Sequence, residues 1–154
     1  MNNEEFVPYD AIGPLQEVEK GLFLGSIQAA QDPFLLRKHN IKCVVNCVEE
    51  KTQTFPEISY LQLRMKDFTS VDLNLYLPKA LKFIENFKAQ GKNVLVHCTA
   101  GVSRSPTIVI AYVMAKYKVP FEQAFEFVKK KRPCISPHPG FIVQLRSFTL
   151  EGLL

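Results

Sequence analysis

Three short segments of nearly continuous apolar character constrain the fold of this 154-residue chain most strongly. They are residues 21–25, 41–48 and 93–97, and the middle one is rich in β-branched side chains. Apolar runs without alternation are typical of strands that are covered on both faces, as in a parallel sheet. Strands alternate with predicted helices early in the chain, and helices complete it. The sequence therefore predicts an α/β fold with a mostly parallel central sheet flanked by helices.

The remaining elements are predicted from alternation, caps and helical spacing. Residues 15–19 alternate like an edge strand, and residues 58–63 form another predicted strand. Helices are predicted at residues 32–40, 72–90, 105–118, 120–131 and 139–150. Pro78 lies inside the second helix, which therefore either begins near Pro78 or is kinked there. We expect residues 1–12 to form a flexible arm and residues 13–154 to form one domain.

Composition and charge narrow the classes of function. Hydrophobic residues make up 47% and charged residues 22% of the chain, which suits a buried core and argues against a disordered tail. The net charge of +4 suits an anionic substrate but is too small and too dispersed to indicate nucleic-acid binding. The basic run at residues 129–132 is predicted to be a solvated helix end, where cations complement the helix dipole. A patch that faces substrate or lipid is the alternative.

Neither a membrane anchor nor a metal site is expected. No apolar run reaches the length of a membrane span, and the acidic N-terminus does not resemble a signal peptide. The cysteines lack the paired spacing of a zinc site and the density of a disulfide scaffold; they are Cys43, Cys47, Cys98 and Cys134. We therefore expect no metal or other cofactor, no stable membrane attachment and a reducing location, cytoplasmic or nuclear. The sequence does not indicate an oligomeric state.

The most informative segment is a cysteine at the end of a buried strand, followed by small residues, an arginine and a helix start. It reads His97-Cys98-Thr99-Ala100-Gly101-Val102-Ser103-Arg104-Ser105. In open α/β sheets, ligands bind at the carboxyl ends of the strands. A loop that wraps into a helix N-terminus directs consecutive backbone N–H groups at one point, where the helix dipole adds positive potential. The segment therefore predicts a site for a phosphate dianion.

The small residues and the arginine of this segment each suit phosphate binding. Gly101 permits the unusual backbone dihedral angles that the wrapped loop needs. Ala100 and Ser103 are small enough to leave the cradle open. Arg104 offers two parallel N–H donors to two phosphate oxygens, a geometry that lysine cannot match.

Cys98 is the predicted nucleophile. The helix N-terminus and the loop donors favour its thiolate, which attacks phosphorus and leaves a cysteinyl-phosphate for water to hydrolyse. Ser105 is placed to donate a hydrogen bond to the sulfur as it leaves. His97 is predicted to lie half-buried behind the nucleophile and to orient the loop. The alternative is a structural buried cysteine with a surface arginine.

This segment resembles the signature loop of the dual-specificity protein phosphatases, within the protein-tyrosine phosphatase superfamily. The resemblance runs from about residue 13 to residue 145 and includes residues 22–26, 45–46, 111–114, 132–133, 140–141 and 144–145. It implies a small, atypical catalytic domain with the tyrosine-phosphatase fold and a phosphoprotein substrate. Asn46 resembles the strand end beside the active site. His138 departs from the family, which usually has Asn there, and this puts the packing near the loop in question.

The resemblance also implies a general acid on the loop before the central helix. In the family this aspartate usually stands five residues ahead of an Asp-Leu or Asn-Leu pair, and Asp67 stands five residues before Asp72-Leu73. Asp67 would protonate the leaving oxygen, which matters because a serine or threonine alkoxide is a poor leaving group. Asp72 is the rival candidate, but its predicted role as a helix N-cap already accounts for it.

Three alternatives stay open at this point. The same chemistry could act on a phosphoinositide, a glucan phosphate or an RNA 5′-phosphate, although the loop lacks the lysines that lipid-directed relatives tend to carry there. A phosphate-binding module without turnover would require loss of the nucleophile, the arginine or the acid, and all three are present. Cys47 is expected near Cys98; a packing role is favoured over a role as disulfide partner of the oxidised nucleophile.

Overall fold

The computed structural model describes residues 7–68, 71–148, 150 and 152–154. Its centre is a five-stranded sheet with the strand order β1-β2-β5-β3-β4. The strands are β1 Leu15–Glu19, β2 Leu22–Ser26, β3 Ile41–Asn46, β4 Ser59–Gln62 and β5 Asn93–Cys98. β1 pairs with β2 in antiparallel direction, and the other three pairs are parallel. The predicted mostly parallel sheet is therefore confirmed.

Helices cover both faces of this sheet. They are α1 Ile27–Ala30, α2 Pro33–Lys38, α3 Leu77–Ala89, α4 Arg104–Tyr117, α5 Phe121–Lys131 and α6 Pro139–Ser147. α1 and α2 pack on one face, α3 and α4 pack on the other, and α5 and α6 pack against α4. No described helix is both long enough and apolar enough to cross a membrane.

Successive residues of β5 contribute to two separate hydrophobic cores. Val94 and Val96 belong to the larger core under α3 and α4, whereas Leu95 belongs to the smaller core under α1 and α2. All three are fully buried, and burial of such a side chain contributes about 1.5–3 kcal/mol to folding. Because both faces of the sheet are covered, the central strands are apolar throughout rather than alternating.

α4 is the central helix of the larger core. Every residue from Ser105 to Met114 is buried, as predicted for a helix that is apolar nearly all round. It contacts β2 and β5 on the sheet as well as α3, α5 and α6. These contacts fix its first residue, Arg104, beside the end of β5.

The helix predicted from Asp72 begins later, at Leu77. Asp72 instead caps a 3₁₀ turn, Leu73–Leu75, by accepting a hydrogen bond from the backbone N–H of Asn74 (3.0 Å). Pro78 lies in the first turn of α3, where a missing N–H costs nothing because that position has no acceptor within the helix. Of the two options for this segment, a start near Pro78 is therefore the correct one.

The structure near both chain ends differs from the prediction, and part of the N-terminal arm lies outside the described residues. α6 ends at Ser147, three residues earlier than predicted. At the other end, Tyr9–Ala11 forms a 3₁₀ turn, and residues 1–6 of the expected arm lie outside the described residues. The division into an arm of residues 1–12 and a domain of residues 13–154 therefore stays a prediction.

Candidate active site

The phosphate loop, defined here as residues 99–103, joins β5 to α4 at the carboxyl edge of the sheet. Cys98 is the last residue of β5 and pairs in register with Ser26 on the neighbouring parallel strand. Arg104 is the first residue of α4. The structure thus places both residues at the edge where ligands of α/β proteins bind, as the sequence predicts.

The carbonyl groups of the phosphate loop are all bonded to the protein behind it. Their donors are Ile27 N to Thr99 O (3.1 Å), Arg132 to Ala100 O (3.0 Å) and Gly101 O (2.9 Å), Ser136 N to Val102 O (2.7 Å), and Thr107 N to Ser103 O (3.1 Å). By contrast, none of the loop N–H groups donates to another described residue. Peptide N–H and C=O groups point in opposite directions, so bonding the carbonyls from behind aims the N–H groups at the pocket.

Gly101 is required in this loop for two reasons. Its φ angle is +69°, in the left-handed region that favours glycine. A Cβ at this position would lie 2.7 Å from the Nη2 atom of Arg132 and 2.7 Å from the backbone of Gly25. The structure therefore bears out the conformational role that the sequence assigns to Gly101.

Arg132 supports the loop from behind, and its prediction as part of a solvated helix end is wrong. The side chain is 0% exposed. Its Nε and Nη2 atoms donate to the carbonyls of Gly101 and Ala100, and its Nη1 atom donates to Gly13 O (2.9 Å) and Gln16 Oε1 (2.6 Å). Burial lowers the pKa of the guanidinium, but an arginine stays charged at neutral pH. The one sequence signal for this role is the Arg-Pro pair that resembles the family's late segment.

Arg104 lies across the mouth of the loop. Its Nη1 atom donates to Met65 O (3.0 Å), and its Nη2 atom donates to Thr99 Oγ1 (2.9 Å). A guanidinium has five N–H donors, so these two bonds orient the group and leave donors for a ligand. The half-buried position suits a side chain that binds an anion from the protein side.

The hydroxyl of Ser105 contacts the sulfur of Cys98. The Oγ and Sγ atoms are 3.1 Å apart, and the same hydroxyl is 3.4 Å from the carbonyl of Gly25. When Cys98 is a thiol, its S–H can donate to the hydroxyl; when it is a thiolate, the hydroxyl must donate to it. The contact can therefore follow the charge of the sulfur.

His97 is fully buried, not half-buried as expected, with 1% of its surface exposed. Burial lowers its pKa to about 4; the hydrogen bond to Cys98 O opposes this shift, and the charge of Arg104 adds to it. The imidazole is therefore neutral at physiological pH. Its Nδ1–H donates to Cys98 O (3.3 Å), since a carbonyl can only accept.

Asn46 organises the neighbouring strand end. It pairs in register with His97 and is completely buried. Its Oδ1 atom accepts from Val48 N (2.9 Å), and its Nδ2 atom donates to Thr52 Oγ1 (2.7 Å). Asn46 thus fixes the loop that leaves β3, one strand away from Cys98, and among the described residues its side chain makes no hydrogen bond with the phosphate loop.

Asp67 is joined to the phosphate loop through Ser103. The hydroxyl of Ser103 donates to Asp67 Oδ1 (2.7 Å) and accepts from the backbone N–H of His138 (2.9 Å). The Nδ1 atom of His138 accepts from Gly140 N (3.1 Å) and so caps α6. An asparagine there could cap in the same way. Asp72, the rival acid, caps the 3₁₀ turn and has no hydrogen bond to the phosphate loop among the described residues.

Cys47 lies beside the strand that carries Cys98, as expected. Its backbone N–H donates to the carbonyl of His97 (2.9 Å). Burial raises the pKa of its thiol well above the ordinary range; the nearby Cys98 adds to this shift and Arg104 opposes it. A buried thiol that stays protonated suits packing better than redox chemistry. All four cysteines are free thiols.

Comparisons with known proteins identify the family. The family model "Dual specificity phosphatase, catalytic domain" matches residues 22–150. "Dual specificity protein phosphatase 1" of Arabidopsis thaliana is 39% identical over 130 residues, which cover 84% of this chain and 66% of that one. The structure of DUSP15 matches with a TM-score of 0.88 at 32% identity, over 91% of this chain and 92% of that one.

A second similar structure is that of the human tyrosine phosphatase-like serine/threonine/tyrosine-interacting protein. It matches with a TM-score of 0.80 at 34% identity, over 86% of this chain and 93% of that one. The chain spans between 34% and 81% of the length of the first curated relatives that it matches. Because the family model covers the phosphate loop, Asp67 and α6 together, the chain belongs to the dual specificity phosphatase catalytic-domain family.

Proposed function

We propose that this protein hydrolyses phosphotyrosine and phosphoserine or phosphothreonine in proteins, through a cysteinyl-phosphate formed on Cys98. The observation that carries the proposal is the asymmetry of the phosphate loop. Its carbonyls are bonded from behind, and its N–H groups are bonded to none of the described residues. Such a loop binds the equatorial oxygens of a phosphoryl group, directly above the sulfur of Cys98. Membership of the dual specificity phosphatase family supports the same chemistry.

In the first step the thiolate of Cys98 attacks phosphorus in line with the leaving oxygen. The S–P bond forms as the P–O bond to the substrate side chain breaks, and the electron pair of that bond goes to the leaving oxygen. Arg104 and the loop N–H groups stabilise the charge on the three equatorial oxygens. The sulfur lies at the N-terminus of α4, where it is 3.1 Å from the hydroxyl of Ser105 and where the helix dipole gives a positive potential.

Asp67 is the proposed general acid for this step. Its Oδ1 atom accepts the hydrogen bond from Ser103, which leaves Oδ2 to carry the proton that goes to the leaving oxygen. In the second step water attacks phosphorus and the S–P bond breaks. Ser105 then donates to the departing sulfur, and the Asp67 carboxylate accepts a proton from the water.

Two other functions are also tested by the experiment below: hydrolysis of non-protein phosphates, and phosphate binding without turnover. Non-protein phosphates would use the same pocket, but the phosphate loop carries no lysine to recognise additional phosphate groups on a lipid. A binding module without turnover is suggested by one similar structure, whose protein is named "tyrosine phosphatase-like" and "interacting". This chain retains a sulfur, an arginine and a carboxylate around one loop, which favours turnover.

The function is tested with a panel of phosphate release assays. The substrates are phosphotyrosine, phosphothreonine and doubly phosphorylated peptides, beside a phosphoinositide, a glucan phosphate and an RNA 5′-phosphate. We expect release from the peptides and its loss in Cys98→Ser. Faster release from a non-protein substrate would transfer the proposal to that substrate. Tight phosphopeptide binding without release by the wild-type protein would support the binding module instead.

The acid role of Asp67 predicts a dependence on the leaving group. Asp67→Asn should slow hydrolysis of alkyl phosphates, including phosphothreonine, by about 100-fold or more, because the alkoxide then leaves without a proton. Aryl phosphates have better leaving groups and should slow much less. Asp72→Asn is the matched control, because asparagine caps a helix as well as aspartate does. Equal slowing of both substrate types in Asp67→Asn would contradict the assignment.

We also propose a reducing cellular location, cytoplasmic or nuclear. Four free, buried cysteines support this location, because an oxidising compartment would expose a thiolate nucleophile to damage. Imaging of a fluorescent fusion protein tests the proposal. Retention of the fusion protein in the secretory pathway would contradict it.

A further inference from the structure

The segment that carries Asp67 is anchored to the phosphate-binding groups on both sides of Lys66. Met65 O accepts a hydrogen bond from Arg104, and Asp67 Oδ1 accepts one from Ser103. Neighbouring Cα atoms are about 3.8 Å apart, so Lys66 stands one residue from each of these two contacts. Its backbone is therefore fixed at the rim of the phosphate pocket.

Buried and exposed residues alternate along this segment. Leu63 and Met65 are buried, and their N–H groups donate to backbone carbonyls at the end of β3 (2.8 and 3.1 Å). Arg64 and Lys66 are exposed. The two inward residues hold the segment against the sheet, so the two cations lie on its solvent side.

The backbone of Arg64 adopts a conformation that non-glycine residues rarely use. Its φ angle is +55°, within the left-handed region. Residues held in such conformations cluster at ligand-binding and catalytic sites, where the surrounding structure maintains them. Here the two flanking N–H bonds to β3 maintain the conformation of an exposed arginine.

Neither cation has a charged partner in the described part of the chain. The ion pairs there join Glu19 to Lys88 and Lys116, and Glu122 to Arg146. Arg64 and Lys66 also make no hydrogen bond with a described side chain. Arg64 and Lys66 are therefore two exposed cations without an ion pair, on the segment that is bonded to the phosphate loop, and they can attract a second anion.

We propose that Arg64 and Lys66 bind a second anionic group of the substrate. The enzyme would then prefer phosphoproteins that carry a carboxylate or another phosphate within about two residues of the phosphorylated one. An extended peptide advances about 3.3 Å per residue, so its nearest flanking side chains meet the rim while the phosphate occupies the loop. This inference rests on the proposed function, because it concerns the selection of phosphoprotein substrates.

Carboxylates at the same sheet edge favour the opposite preference. Glu49 and Glu50 are exposed on the loop after β3, followed by the exposed Lys51. Among the described residues, no hydrogen bond ties these three side chains to the phosphate loop. Lys66, in contrast, lies between two residues that are hydrogen-bonded to the phosphate-binding groups, Met65 and Asp67. The inference therefore expects an acidic preference, and a basic preference would assign the rim to these glutamates instead.

The test measures kcat/KM for three phosphotyrosine peptides that differ in one flanking residue: glutamine, glutamate or phosphothreonine. The wild-type protein should prefer both anionic peptides over the glutamine peptide by about 3- to 10-fold at low ionic strength. The preference should shrink at about 0.5 M salt, where the charges are screened. In Arg64→Gln/Lys66→Gln the ratio of kcat/KM for an anionic peptide to kcat/KM for the glutamine peptide should approach one. A loss of activity that is common to all peptides does not change this ratio.

The matched control is Arg37→Gln/Lys38→Gln, which removes the same two charge types from the end of α2. That end precedes the start of β3, at the opposite edge of the sheet, and both side chains are exposed. The control should keep the wild-type ratio. A preference for the doubly phosphorylated peptide alone would identify the second anion as phosphate, and a preference for both would identify any anion.

Two results would overturn the inference: equal kcat/KM for the three wild-type reactions, or an unchanged ratio in Arg64→Gln/Lys66→Gln. Failure of the proposed function gives a different result, because the wild-type protein would then hydrolyse none of the peptides. Calorimetric binding of the same peptides to Cys98→Ser, with and without the Arg64 and Lys66 substitutions, reads the same ratio without turnover. Equal affinities in that assay would overturn the inference in either case.

Discussion

The hydroxyl of Ser105 has one proton and two acceptors within reach, the sulfur of Cys98 at 3.1 Å and the carbonyl of Gly25 at 3.4 Å. Donation to the sulfur matters when the cysteinyl-phosphate breaks and negative charge returns to it. A hydrogen bond to a charged group contributes about 1.5–3 kcal/mol. Ser105→Ala should therefore slow hydrolysis of the intermediate by about 10- to 100-fold. Rapid mixing with an aryl phosphate should then show a burst of phenol release before the slow steady state.

Thr107→Val provides a matched control for this prediction. It also removes a buried hydroxyl near the start of α4, but that hydroxyl donates to Ser103 O (2.8 Å) and does not contact the sulfur. The control should show no burst. If Ser105→Ala shows neither a burst nor a lower kcat, the proposed contact with the leaving sulfur makes no kinetic difference.

At the scale of elements, the phosphate loop depends on the end of α5 and the start of β1, which Arg132 joins to it. Arg132→Met would leave three backbone carbonyls without their donor, those of Gly13, Ala100 and Gly101. Leaving a buried acceptor unsatisfied costs about 1–3 kcal/mol, so for these three carbonyls the free energy of unfolding should fall by about 3–9 kcal/mol. Urea denaturation measures this change, and kcat/KM should fall with it because the loop loses its support.

Lys131→Met is the control for Arg132→Met, since it removes a neighbouring cation that is exposed. Its free energy of unfolding should stay within about 0.5 kcal/mol of the wild-type value. If the two variants lost equal stability, the four hydrogen bonds of Arg132 would not be what holds the loop.

Elements were predictable from the sequence wherever their cause is local. The continuous apolar runs indicated the buried strands, and Asp32 caps α2 as expected by accepting from Phe34 N and Leu35 N. The position of Arg132 was not predictable in this way. Its partners stand 31 to 119 residues away, so its burial depends on tertiary packing, whereas its lysine neighbours suggested a solvated end.

The candidate site, like the fold, was predictable where its features depend on residues that are close in the sequence. The order Cys98, Gly101 and Arg104 indicates a phosphate loop, because a nucleophile, a residue that tolerates a positive φ angle and a phosphate-binding guanidinium occur within seven residues. The bond from Ser103 to Asp67 spans 36 residues, and no local pattern indicates it. The sequence therefore predicts the groups of the candidate site but not the hydrogen bonds that arrange them.

At the scale of the whole molecule, β5 is the central strand of the sheet and also carries Cys98. The buried imidazole of His97, on the same strand, therefore affects both the stability of the fold and the candidate site. His97 lies between β2 and β3 and is neutral when folded, because burial lowers its pKa to about 4. In the unfolded chain a histidine has its ordinary pKa of about 6.5. The unfolded state therefore binds more protons between these two values, and stability falls as the pH is lowered through that window.

This linkage predicts a loss of about 2 kcal/mol from His97 alone between pH 7 and pH 5. His97→Asn removes the titration while an amide can still donate to Cys98 O, so the variant should be less stable at pH 7 but should lose less between the two pH values. Urea denaturation at both pH values measures the difference. If His97→Asn showed the full wild-type loss, the acid sensitivity would belong to other groups and the buried imidazole would not couple protonation to folding.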